Sequence, residues 1–379
     1  MKLLFAGDVN FRGIEPLNRQ KSIEILAEVL PFLQEADFRI VNLETPLAYR
    51  ENHHPIYKSG PNLICVPENI AFLQTFCADA VTLANNHIGD FGEGAVEETL
   101  QHLKKNNILY AGVGENTESA YKPFLLSKNG ITVAVLSVCE NEFGMATDTK
   151  WGSAGYNPRT LLRHIRQVKE QADFVIVCFH GGNEFNPVPS PRTTDRYRMI
   201  CDMGADAVIA GHTHCPQGYE MYEGKPIVYS MGNFLFRSSE EKEAQTSWHY
   251  GYLCMLTIED GISLQVIPYR FTPAADRISI FTGEDCEKML AYLDALSAPL
   301  QQPEILEAYF MGWSWLHQWC PSLANAGQDG YNAAGYFNLI SCEAHCDQLR
   351  TVLSVYHSRE TEKARLWADK ITVLQRMPV

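Results

Sequence analysis

Phe174-Val175-Ile176-Val177-Cys178-Phe179-His180-Gly181-Gly182 and Ala207-Val208-Ile209-Ala210-Gly211-His212-Thr213-His214 are the two stretches on which the fold of this chain turns. Each is a short, β-branched apolar run that stops abruptly at histidine. An apolar run of this length without polar alternation reads as a strand buried on both faces, the kind that builds parallel sheets. The segment between them, Thr193–Met203, has the spacing of an amphipathic helix, so the order is strand, polar turn, helix, strand.

The same unit recurs toward the N-terminus. Leu3–Ala6 ends at Gly7-Asp8, Phe38–Val41 at Asn42, Ala80–Ala84 at Asn85, and Val133–Val138 at Cys139-Glu140. Helical patterns lie between them at Lys21–Leu33, Ala95–Lys105 and Pro158–Gln171. This is the α/β class. Past His214 the texture changes: Pro226–Phe236, Leu253–Glu259 and Ile262–Phe271 are strand-like, and Asp260-Gly261 between the last two is a hairpin signal. A break at Thr272-Pro273-Ala274-Ala275 precedes a helical, aromatic-rich region from about residue 283, with Phe310, Trp313, Trp315, Trp319, Tyr336 and Phe337. There is no internal repeat.

The chain has 379 residues, enough for two or three domains or for one large α/β body with an appendage. With 46% hydrophobic and 20% charged residues, it can bury a sizeable core and is not disordered. Lys+Arg number 31 and Asp+Glu 45, a net charge of −14, which offers no long-range attraction to nucleic acid or anionic lipid. Eleven cysteines, an odd number without regular spacing, fit buried thiols in a reducing compartment better than a disulfide framework. Asp8 and Arg12 interrupt the first apolar run too early for a signal peptide, and no stretch approaches the roughly 18–20 apolar residues of a membrane span. The expectation is a cytoplasmic protein without membrane insertion.

In open α/β sheets ligands bind beyond the carboxyl ends of the strands. Here those ends supply Asp8, Asn42 with Glu44, Asn86 with His87, His180, and His212 with His214. Carboxylates, a carboxamide and imidazoles together suit Mn²⁺, Zn²⁺ or Fe²⁺. Burying such a set without a cation would be costly. Taken alone each motif has a plain alternative: an Asp-capped turn at Asp8, an Asx turn at Asn85-Asn86, a loop cap at Glu44, a hydrogen-bonded core histidine at His180. The pair in Gly211-His212-Thr213-His214 would point to one side of an extended segment. The conjunction of all five at successive strand ends is the informative signal.

These motifs, with Asn42-Leu43-Glu44-Thr45-Pro46, Ala84-Asn85-Asn86-His87 and Tyr229-Ser230-Met231-Gly232-Asn233-Phe234, resemble the CapA (poly-γ-glutamate capsule synthesis) family of the calcineurin-like metallophosphoesterase superfamily. The resemblance covers residues 1–272 and leaves 283–379 as a helical C-terminal region of unknown role. It implies a four-layer αββα metallophosphoesterase-like sandwich with a C-terminal helical appendage. It also implies two divalent metal ions: Asp8 and His214 on one, Asn86, His180 and His212 on the other, Glu44 bridging. Many members of the superfamily have a histidine two residues after the first Asp; this chain has Asn10, which predicts a weaker hold on one metal. The chemistry implied is attack by a metal-bridging hydroxide, with His87 donating a proton to the leaving atom.

Two readings of function follow. One is a hydrolase acting on a phosphoester or a γ-glutamyl amide of a small or poly-γ-glutamate-like anionic substrate. The other is a non-catalytic metal-binding accessory protein of capsule metabolism that binds a poly-anion. Lys58, beside His53 and His54, could bind an anion or simply be solvated. Arg192 and Arg196 could clamp a carboxylate or phosphate. Asn233 and Ser230 could line the site or serve structural hydrogen bonds. Cys342, His345 and Cys346 share a helix face, a weak zinc signal more in keeping with packing. Gly112-Val113-Gly114 lacks the rest of a dinucleotide fingerprint.

Overall fold

The computed structural model describes residues 1–238, 247–318 and 333–378. Two sheets dominate it. The eight-stranded sheet runs in the order Ile278–Ile280, Ile262–Phe271, Tyr250–Ile258, Lys2–Asn10, Phe38–Leu43, Ala80–Thr82, Leu109–Ala111, and Asn233–Phe236 joins it alongside the end of Lys2–Asn10. The six-stranded sheet runs Tyr219–Tyr222, Lys225–Val228, Ala207–Gly211, Phe174–His180, Ile131–Cys139, Phe124–Lys128. The strands Lys2–Asn10, Phe38–Leu43, Ala80–Thr82 and Leu109–Ala111 are mutually parallel, as are Ile131–Cys139, Phe174–His180, Ala207–Gly211 and Lys225–Val228.

Side-chain alternation makes the layers. Leu3, Phe5 and Ile40 join Val135, Ile176, Cys178 and Ile209 in one buried cluster between the sheets. Their neighbours Leu4, Ala6, Val41 and Val81 face the other way, onto Ile25, Leu26, Phe72, Phe76 and Leu103 of the outer helices. Proline and side-chain caps start the helices on the second sheet: Asn157 and Ser190 accept from Thr160 N and Thr193 N, with Pro158 and Pro191 in the first turns. The hairpin expected across Asp260-Gly261 is present, with Ile258 opposite Ile262.

Two expected elements divide. Lys21–Leu33 becomes Arg19–Leu26 and Leu30–Glu35, with Pro31 in the first turn of the second helix. Pro226–Phe236 splits, and its halves enter different sheets. At the crossing Gly232 adopts φ +75°, and its carbonyl packs so tightly on Gly7 that a Cβ there would lie 1.9 Å from the oxygen. Local apolar pattern cannot report such a crossing.

Helices Gly283–Ser297, Pro303–Leu316, Ala333–Ser341, Glu343–Ser358 and Thr361–Leu374 form the C-terminal region. Leu293, Leu296, Phe310, Trp313 and Ile371 belong to the same buried cluster as the strands, so Trp313 is core; Trp319 lies outside the described residues. The described cysteines are free thiols. Among the described residues no helix is long and apolar enough to cross a membrane.

Candidate metal centre

The first strand shifts register on both sides of Asp8, at Ala6/Asp8 against Phe38–Leu43 and at Asp8/Val9 against Asn233–Phe236. Irregularity of this kind re-aims a side chain at a strand end. Asp8 is fully buried there; its Oδ1 accepts from Asn42 Nδ2 at 2.7 Å and its Oδ2 from the His212 backbone N–H at 3.0 Å. Gly211 is needed for this approach, since a Cβ would meet Asp8 Oδ1 at 2.9 Å.

His180 stands at the end of the neighbouring sheet. Its Nε2 lies 3.1 Å from Asn86 Oδ1, 3.1 Å from His212 Nδ1 and 3.7 Å from Glu44 Oε1. His214 Nε2 is 4.0 Å from the same Glu44 oxygen. Ligand-type atoms of Asp8, Glu44 and His214 fall within 4.8 Å of one another, and so do those of Glu44, His180 and His212. Glu44 is common to both triads. The residues Asp8, Glu44, Asn86, His180, His212 and His214 are therefore gathered at one place.

The Gly211–His214 geometry differs from expectation. The segment is not extended: His212 and His214 have φ +97° and +55°, a region non-glycine residues rarely enter. The turn, not strand alternation, brings the two rings together at 6.1 Å.

The electrostatics fit a cation. Glu44 Oε1 is buried without a hydrogen-bond partner among the described residues. Burial pushes the Glu44 carboxyl up to about 8, with His214 opposing and Asp8 reinforcing; burial also raises Asp8. Burial holds His180 well below the ordinary imidazole value and His212 at about 4, so both are neutral, as metal ligation requires. His214 is raised: burial works against its charge, but Glu44, Glu184 and Asp8 outweigh it. An orphaned carboxylate oxygen facing neutral imidazole nitrogens is a donor set that a divalent ion satisfies. Metal ions could be held here.

His87 is buried, and its Nδ1 is 2.7 Å from Asp90 Oδ2 and 3.1 Å from Lys58 Nζ. Burial lowers its pKa, Asp90 opposes and Lys58 assists. Lys58 is neither a solvated loop residue nor a free cation; its buried ammonium is paired with Asp90. Arg192 lies 2.7 Å from Glu140 and is paired with Asp347. Arg196 bonds Glu140 at 2.9 Å. Asn233 is engaged beside the cluster: Oδ1 takes His214 Nδ1 at 2.8 Å and Nδ2 donates to Trp248 O at 3.1 Å. Asn10 Oδ1 accepts from Arg12 N, and its Nδ2 is 3.5 Å from Glu44 Oε2. Cys342, His345 and Cys346 form no ligand cluster among the described residues; Cys342 Sγ lies 3.9 Å from Glu140.

Four acidic residues escaped sequence reasoning. Asp90 holds His87, and Glu140 gathers Arg192 and Arg196. Glu142 lies 3.7 Å from His212 and is pushed by burial to about 8, and Glu184 lines the adjoining cleft. The strand-end position of Glu140 and the His87-x-x-Asp90 spacing were the local signals available; Glu142 and Glu184 meet the site through tertiary packing.

Two facing sheets flanked by helices, with a buried carboxylate–imidazole cluster at the strand ends, define a metallophosphoesterase-like fold. Residues 2–238 match the family described as bacterial capsule synthesis protein PGA_cap, and the chain belongs to that family. It is 31% identical over 230 residues to the capsule biosynthesis protein CapA of Bacillus anthracis, covering 59% of this chain and 56% of that protein. It is 31% identical over 238 residues to the PGA biosynthesis protein CapA of Bacillus subtilis (strain 168), covering 61% and 62%. A probable polyglutamine synthesis accessory protein of Mycobacterium tuberculosis is 25% identical over 258 residues, 62% and 66%. The matched region thus spans less than two thirds of the two Bacillus proteins. Among solved structures, a hypothetical protein from Thermus thermophilus has a TM-score of 0.45 at 16% identity, covering 74% of this chain and 100% of that one. A 5'-nucleotidase from Candida albicans has a TM-score of 0.40 at 12% identity, covering 81% and 55%.

Proposed function

We propose that this chain is a metal-dependent hydrolase with a dinuclear centre, acting on a phosphoester or a γ-glutamyl amide. The observation that carries the reading is Glu44, common to two triads and with a buried oxygen left without a partner among the described residues. Asp8, Glu44 and His214 would hold one ion and Glu44, Asn86, His180 and His212 the other. Divalent ions bound there would supply Lewis acidity and lower the pKa of water. Asn233 fixes the His214 ring through Nδ1, and Asn42 and the His212 amide fix Asp8. With Asp90 accepting from His87 Nδ1, His87 Nε2 is the atom left to pass a proton to a leaving group.

The second reading is a non-catalytic metal-binding accessory protein, in keeping with the accessory role in one relative's name. Elemental analysis of protein purified without chelators, followed by turnover of p-nitrophenyl phosphate and γ-glutamyl-p-nitroanilide, separates the two. About two metal equivalents, lost in an Asp8→Ala/His212→Ala variant, with turnover of either chromogen, supports the hydrolase. Metal without turnover of any phosphoester or γ-glutamyl amide supports the accessory protein, and no metal after reloading overturns both. His87→Asn should keep the metal and lower turnover by about 10²–10⁴.

A further inference from the structure

Beside the Glu44 cluster lies a cleft of about 380 Å³ with two walls of different origin. One wall comes from the family-matched residues. The other comes from the helices Pro303–Leu316, Ala333–Ser341 and Glu343–Ser358, beyond residues 2–238. This second wall is clamped in place. Glu343 accepts from Asn141 N and Nδ2 at 3.1 and 2.9 Å and lies 3.6 Å from Arg196, while Asp347 pairs with Arg192.

The chemistry of the walls is specific. Asn183, Trp313, Asn338 and His345 all line the cleft, and each has a buried polar atom without a partner among the described residues: Asn183 Oδ1, Trp313 Nε1, Asn338 Oδ1 and His345 Nδ1. The first three residues are 4%, 4% and 8% exposed. Asn183 is oriented by its Nδ2, which donates to Ala344 O at 3.0 Å, so its Oδ1 is a fixed acceptor. Buried polar atoms are ordinarily satisfied, and several unsatisfied ones around one cleft point to a hydrogen-bonding guest. Trp313, Phe143 and Phe185 add aromatic surface.

Donors, acceptors and aromatic faces gathered in one cleft suit a ring bearing hydroxyl or amide groups.

We infer that this cleft is a specificity site for a hydrogen-bonding ring, of glycosyl or nucleobase type, joined to the bond that meets the Glu44 cluster. The inference rests on the hydrolase reading only for which end of the ligand reaches the cluster. Recognition itself is read by binding, without turnover.

The test uses the full chain loaded with Mn²⁺ and two probes, methyl α-glucoside and adenosine. Tryptophan fluorescence and saturation-transfer NMR report binding. At least one neutral ring should bind, with affinity reduced about tenfold or more by His345→Phe and by Asn338→Leu. Response to the glucoside alone assigns a glycosyl group; response to adenosine alone assigns a nucleobase. Binding of neither ring, or undiminished affinity in both variants, overturns the inference. Metal uptake of each variant verifies its fold, and His345→Gln replaces a variant that fails it. A hydrolase reading that fails in the chromogenic assays leaves these binding outcomes intact, so the two failures are distinguishable.

Discussion

Removing divalent cations and raising the pH from 6.5 to 8 should destabilise the folded chain. Glu44 and Glu142 are both pushed by burial from the ordinary 4.5 up to about 8. Over that window the folded chain keeps protons that the unfolded chain has released, so unfolding is proton-releasing and rising pH favours it. For one such carboxyl the loss between pH 6.5 and 8 integrates to about 1.6 kcal/mol, and for the two together to about 3 kcal/mol. His212, held at about 4, and His180 and His87, held below the usual value, act in the opposite sense: unfolded imidazoles finish titrating at the lower edge of this window, and each returns about 0.4 kcal/mol. His214 is raised and adds to the loss. Scaled to a chain of this length, roughly 1–2 °C per kcal/mol, the melting temperature should fall by about 3–6 °C. The assay is thermal unfolding of EDTA-treated protein across the window, repeated with Glu44→Gln and with added Mn²⁺. Glu44→Gln should remove about half of the slope, and Mn²⁺, which competes with protons for the same atoms, should reverse it. Stability that stays flat or rises with pH in the chelated protein, or a wild-type slope in Glu44→Gln, would refute the reasoning.

Other perturbations have equally definite outcomes. Glu140→Gln leaves Arg192 and Arg196 without their shared buried partner and should cost about 3–5 kcal/mol in urea unfolding; a loss under about 1 kcal/mol would mean the network is water-screened. Gly7→Ala forces a methyl to 1.9 Å from Gly232 O and should cost about 3 kcal/mol while displacing Asp8, so that metal uptake falls with stability; unchanged uptake would show that the strand crossing absorbs the methyl elsewhere. Asn233→Leu frees the His214 ring and should weaken metal binding by about 10–100-fold, measured by competition with a chromophoric chelator; wild-type affinity would show that Trp248 and Phe236 packing alone orients the ring.

The positions of the strand ends are local properties, and the chain declares them. Apolar runs give way to Asp8, Asn42, His180 and His212 in the last residues of their strands or just past them, because a strand buried on both faces carries polar side chains where it reaches the edge of the packed interior. Parallel pairing then aligns those ends, which is why residues from Asp8 to His214 gather at one edge. The same logic cannot assign partners to charges. Lys58 and Arg192 look alike in sequence to a free anion site, yet Asp90 in one case and Glu140 with Asp347 in the other neutralise them.

Thus the amino-acid order by itself determined the α/β class, the strand ends and the residue types that meet there. Only the tertiary structure decided that Pro226–Phe236 divides between sheets, that His212 and His214 converge through a left-handed turn, and that the C-terminal helices wall the cleft. Burial and periodicity act between neighbours in sequence, whereas a close backbone crossing, an ion pair or a cleft wall depends on residues the chain brings together from far apart.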